Sequence, residues 1–143
     1  MKKRFRFLEH TADAYVEAVG TSLEEAFGNA GLALTDVMTE LEKVEAVEAE
    51  SFVVEAQDEF ALLYSWLEEL LLEFELKGKL YSRFEVYGIK ETEVGFKLKA
   101  KAWGECYDPN RHPSKAGVKA ATYHQMEIVK EAGSVIVRFI LDI

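Results

Sequence analysis

VGFKLKAKAWGECY, residues 94–107, alternates without a break: Phe96, Leu98 and Ala100 take one side of an extended chain, and Lys97, Lys99 and Lys101 take the other. A period of two marks a strand with one dry face and one wet face. LYSRFEVYGI before it, and VKAATYHQMEIVKE and SVIVRFILDI after it, also read as strands. The short connections ETEVG and EAGS predict hairpins between neighbours, hence antiparallel pairing.

Ahead of Gly78 the period changes. Leu23, Ala26, Phe27, Ala30, Leu34, Val37 and Met38 fall on one helical face, so residues 22–38 read as an amphipathic helix. Thr21 or Ser22 offers its N-cap, with Glu24 or Glu25 at the capping-box spacing. Gly28 and Gly31 weaken this helix but leave room for a sheet to come close. Asp58 is placed to cap a second helix over 58–76. Its stripe is Phe60, Leu63, Leu67, Leu70, Leu71 and Phe74, with Trp66 beside it and an acidic back at Glu68, Glu69, Glu73 and Glu75. That is a core-facing stripe, not a cofactor box. RFRFLEH and AYVEAVG add two short strands and residues 44–56 a third, giving the order ββαβαββββ. The predicted fold class is α+β: two layers, a mainly antiparallel or mixed β-sheet with two amphipathic helices packed on one face. Residues 1–143 are expected to form a single domain.

Apolar residues make up 49% of the chain, which excludes a disordered protein. No apolar run approaches the roughly eighteen residues that a spanning helix needs. MKKRFRFLEH is basic but has no apolar signal-peptide core, so it reads as the first strand. Cys106, the single cysteine, leaves no internal disulfide, which suits a reducing cytoplasm and a buried thiol. The net charge of −9 repels phosphate backbones, so no stable direct nucleic-acid binding is expected. The charge is nevertheless uneven. Residues 40–75 are strongly acidic, whereas over 97–119 Lys and Arg outnumber acids. Ordinary solvated surface accounts for that split, and so does a pair of oppositely charged partner faces.

Nucleophile and phosphate-loop patterns are absent, and His10, His112 and His124 do not stand at zinc spacings. The loop 107–117, YDPNRHPSKAG, is long enough to present polar groups. Two further places hold chemistry. EHTAD, residues 9–13, interrupts two strands with a polar cluster that is either a simple turn or half of a site. FILDI closes the chain with two large apolar residues around Asp142, as if tied down, and would fix the Ile143 carboxylate beside it. If the strands at the two ends are neighbours, Asp13, Asp142 and Ile143 bring oxygen anions together. Such a set suits a hard divalent ion, Ca²⁺, Mg²⁺ or Mn²⁺.

EHTAD at 9–13, WLEELL at 66–71, GECYD at 104–108, RHP at 111–113, VKAATYH at 118–124 and the terminal LDI together resemble the archease family, in matching order over nearly the whole chain. That resemblance implies a small cytoplasmic α+β accessory protein of tRNA processing and splicing. Its partner would be an RtcB-type RNA ligase, which uses GTP and Mn²⁺ to join 2′,3′-cyclic-phosphate or 3′-phosphate ends to 5′-hydroxyl ends. The family promotes guanylylation of the ligase and its multiple turnover, and performs no catalytic step of its own. By the same resemblance the metal site, calcium among its candidate ions, falls on Asp13, Asp142 and Ile143. A functionally important lysine falls on Lys119, and His10 and His112 fall in matching motifs that face the partner. The alternatives are a stand-alone metal-dependent phosphoester hydrolase, with His10 or His112 as base, and a chaperone-like interaction module.

Overall fold

The computed structural model describes residues 4–8 and 13–143. The chain runs β1 (Phe5–Leu8), β2 (Ala14–Gly20), α1 (Leu23–Met38), β3 (Glu48–Ala56), α2 (Glu59–Lys77), β4 (Lys79–Thr92), β5 (Gly95–Cys106), β6 (Ala120–Glu131) and β7 (Ser134–Asp142). The fold is α+β, and among the described residues every strand pairing is antiparallel. The strands divide between two sheets, ordered β1-β2-β7-β6 and β3-β5-β4. The alternating 94–107 stretch becomes the central strand of the second.

Each helix touches both sheets. α1 packs on β4 and β2, and α2 on β6 and β3, so the helices bridge two sheets instead of covering one. Such a place demands a helix that is dry nearly all round. In α1 the predicted stripe is buried except for half-buried Leu23, and burial extends around the helix to Gly28, Gly31, Leu32 and Ala33. The small residues set the approach distance: a Cβ on Gly31 would come within 2.8 Å of the Phe84 ring. One continuous apolar cluster results, with Trp66, Phe27 and Phe139 its largest fully buried members.

Local chemistry sets the helix ends. Ser22 Oγ accepts from the Glu25 N–H at 3.1 Å, and Glu25 Oε1 accepts from the Thr21 N–H, one residue before the cap, at 2.8 Å, a variant of the capping box. Asp58 Oδ1 accepts from the Ala61 N–H at 2.7 Å. Gly78, at φ +68°, closes α2 in the left-handed conformation that glycine tolerates best.

Three expectations shift. β3 begins at Glu48, because Leu41–Lys43 form a 3₁₀ turn and Val44 turns into the core. Phe60, expected in the buried stripe, is 43% exposed. Cys106 is exposed, not buried: β5 runs out beside the last turn of α2, where its Sγ reaches only the Lys77 carbonyl at 3.9 Å. Among the described residues no helix is long and apolar enough to cross a membrane.

Candidate functional site at the pinned end of β7

β7 lies between β2 and β6, so its last residues are held from both sides. Ala14 pairs with Leu141, and Ala120 with Asp142. The Lys119 N–H donates to the Asp142 carbonyl at 2.7 Å. The last residues of β7 are thereby part of the sheet. On β6 the Glu68 carboxylate of α2 accepts from the Ala121 N–H at 2.8 Å, which occupies a ladder group of an edge strand.

This register gathers residues from opposite ends of the sequence. Asp13, one position before Ala14, stands level with Asp142, one position after Leu141. Leu141 is fully buried on the core side, so strict alternation turns the Asp142 side chain to the outer face of the sheet, where it is half-buried. Two carboxylates set level on adjacent strands repel each other. Hydrogen-bond donors or a cation offset such a pair of charges. Lys119 is exposed at the same edge and forms no ion pair among the described residues. Ile143 follows directly and is 38% exposed. Among the described residues no group of three or more His, Cys, Asp or Glu side chains is placed to hold a metal ion. His10 lies outside the described residues, as do the other residues of 9–12.

His112 stands elsewhere, and its side chain is completely buried. Nδ1 accepts from the Asp108 N–H at 2.8 Å, so the ring proton sits on Nε2, 2.9 Å from Glu105 Oε2. Arg111 forks onto the same carboxylate at 2.8 and 2.9 Å, and the Glu45 N–H donates to it at 2.8 Å. Glu105 is therefore the hub that folds the 107–117 loop back on the end of β5. Arg111 above all, with the Glu45 N–H and His112, holds its carboxyl down to about 2, against the desolvation that opposes them. A depressed acid contributes stability that is complete above its unfolded value and disappears as pH falls through the folded one. Acid unfolding of the wild type should therefore carry a component between about pH 4.5 and 2 that Glu105→Gln lacks. Identical acid limbs for the two proteins would contradict this.

Glu105 carried no signal as a site in the sequence, because its partners come from a loop whose path only the fold defines. The same holds for Glu17 on the outer face of the first sheet. Only 6% exposed, it receives Arg6 Nε at 2.6 Å and Arg138 Nε at 2.8 Å. Arg6 first of all, with Arg138, holds its carboxyl pKa below the usual carboxylate range. The β1-β2-β7 register, which sets Arg6 and Arg138 on either side of Glu17, is what pairs them.

Comparison with known proteins bears on the whole chain. The profile of the archease protein family (MTH1598/TM1083) matches residues 5–143. A protein archease of Pyrococcus abyssi is 48% identical over 128 residues, 90% of this chain and 89% of that one. One of Sulfurisphaera tokodaii is 41% identical over 141 residues, 99% of both chains. The solution structure of protein 1598 of Methanobacterium thermoautotrophicum superposes with a TM-score of 0.84 at 41% identity, covering 98% of this chain and 99% of that one.

Proposed function

The chain belongs to the archease protein family, and from that premise we propose that it is an accessory protein that activates an RtcB-type RNA ligase in tRNA splicing. The observation that carries this reading is the register that sets Asp13 level with Asp142 at the pinned end of β7, with Lys119 at the same edge. In this reading the Asp13 and Asp142 side chains and the Ile143 carboxylate hold one divalent ion, Ca²⁺, Mg²⁺ or Mn²⁺. The donor set fits, because all the oxygens are hard and anionic and waters complete such shells readily. When bound, the ion supplies positive charge beside the phosphates of a nucleotidyl transfer.

The chain's own residues then position and neutralise. The sheet keeps the two aspartates in fixed register, so they need no ordering when the ligase arrives. Lys119 offers an ammonium to phosphate or to an acidic ligase group. Promoting guanylylation and turnover in this way asks for placement and charge, not for a catalytic step by this protein.

Multiple-turnover ligation by an RtcB-type ligase, with and without this protein, tests the function. Equal turnover in the two arms would refute it. Ion binding is read separately. At about a hundred times the dissociation constant, the bound ion should raise the melting temperature by roughly 5–10 °C. Asp142→Asn should remove that rise; a rise that survives in the variant places the ion elsewhere.

A further inference from the structure

In a chain of net charge −9, the outward face of the β3-β5-β4 sheet is basic. Register sets Trp103 between Ala49 and Arg83, Lys101 between Ser51 and Glu85, Lys99 between Val53 and Gly88, and Lys97 between Glu55 and Lys90. Five cationic side chains share this face with two carboxylates, Glu55 and Glu85. Its lysines also differ in kind from others of the molecule. Lys43, Lys77, Lys79, Lys115 and Lys130 each have a carboxylate within 4 Å. Lys90, Lys97, Lys99 and Lys101 form no ion pair among the described residues. Glu55 and Glu85 stand opposite Lys97 and Lys101, but Lys99 faces no carboxylate across either strand, and Lys90 stands opposite Lys97, a like-charged pair that costs stability.

Aromatic rings are interleaved with the amines. The Arg83 guanidinium stands 4.4 Å from the Trp103 ring centroid, and Lys101 Nζ 5.9 Å. A β-bulge between Val86 and Gly88 throws Tyr87 outward, leaving it 57% exposed. Gly88 has no side chain, and nothing lies within 4 Å of where a Cβ would stand. The bulge opens a hollow of about 390 Å³ lined by Tyr87, Gly88, Lys90, Lys97 and Lys99, with Glu91 also among its lining.

We propose that this face binds a single-stranded nucleic acid, seating one nucleotide in the hollow beside Tyr87. The amines on β5 repeat every second residue, about 6.8 Å apart, a stride that successive phosphates of an extended strand can follow. Tyr87 presents a π-face on which any base stacks, and the lysines at the hollow take the phosphate. A duplex would meet the amines but leave the ring unused, and an acidic peptide would have no use for a nucleotide-sized hollow next to an exposed ring. The negative remainder of the molecule opposes the same ligand, which confines binding to this face and makes it weak and steeply salt-dependent. No ligase is involved, so the inference stands or falls apart from the activation reading.

Fluorescence anisotropy of a labelled oligouridylate of about ten nucleotides, titrated with the full chain at low and at moderate salt, reads the binding directly. Saturable binding is expected, with log K falling against log salt by about 0.7 for each phosphate contact. The double variant K97E/K99E should lose it. Tyr87→Ala should weaken it about tenfold while Tyr87→Phe retains it. Unchanged far-ultraviolet circular dichroism keeps the comparison to folded proteins. Absence of saturable binding at low salt overturns the proposal. So does a Tyr87→Ala variant that binds like the wild type while a polyglutamate peptide competes as well as unlabelled RNA, which would mark a face for acidic proteins.

Discussion

Asp13→Ala is expected to bring ligation down to the rate of the ligase alone while the protein stays folded. The size of the effect follows from where the residue stands. Asp13 precedes the first residue of β2 and lies outside the apolar cluster, so its loss opens no cavity in the core. The stability change should stay below about 1 kcal/mol. Functionally the change removes one of the paired acidic side chains of the proposed ion site, and a site reduced by one charged ligand has little left with which to hold a hard cation. Asp13→Asn separates charge from shape. It keeps the size of the side chain and should fail as fully as alanine if charge is what matters. Lys130→Ala, which removes only a surface pair with Glu59, should stimulate like the wild type. Multiple turnover at the wild-type rate with Asp13→Ala would end the ion-centred account. The melting temperature measured alongside distinguishes that result from a simple loss of folding.

Trp66→Ala should cost about 3–5 kcal/mol of unfolding free energy, the range for deleting a buried aromatic side chain. Trp66 is completely buried on α2 and bridges the elements around it. Its ring meets Phe52 of β3 edge-on at 5.6 Å and Phe84 of β4 at 5.8 Å. Its Nε1–H donates to the Phe27 carbonyl of α1 at 2.9 Å. Alanine removes the packing and the hydrogen bond together. Trp66→Phe keeps much of the volume and loses the hydrogen bond, so its cost should be clearly smaller. Packing therefore outweighs the polar contact here. The larger loss is a substantial share of the roughly 5–15 kcal/mol that holds a domain together. Urea unfolding followed by fluorescence or circular dichroism gives both values. A loss below about 1 kcal/mol for Trp66→Ala would mean that the neighbours collapse into the space, against the crowding seen around it.

Most of the elements were legible because their signals are local. Ser22 and Asp58 cap the two helices as their spacing predicts, since a cap is an exchange of hydrogen bonds within one turn. The hairpins at ETEVG and EAGS join β4 to β5 and β6 to β7. Harder to see was how much of α1 would be buried. Gly28 and Gly31 hinted at a close approach, but nothing in the chain said that a second sheet would lie on that side. The burial of His112 was hidden for a related reason. A polar ring in a Pro-containing loop looks exposed until Glu105 and the Asp108 N–H are found on its two nitrogens.

The proposed site divides in the same way. Alternation alone named Asp142 as the odd polar residue of an apolar strand end, and the break at 9–13 marked Asp13. That the two stand level is a fact of pairing across the length of the chain, and so is the gathering on one sheet face of four lysines that form no ion pair among the described residues. Period, cap and turn chemistry act between residues a few positions apart, so the amino-acid order determined which segments are strands and helices and which side of each is dry. Strand partners, the splitting into two sheets and the ends that meet were decided by tertiary packing. Many pairings satisfy the same local pattern, and only burial of both helices between the sheets selects among them.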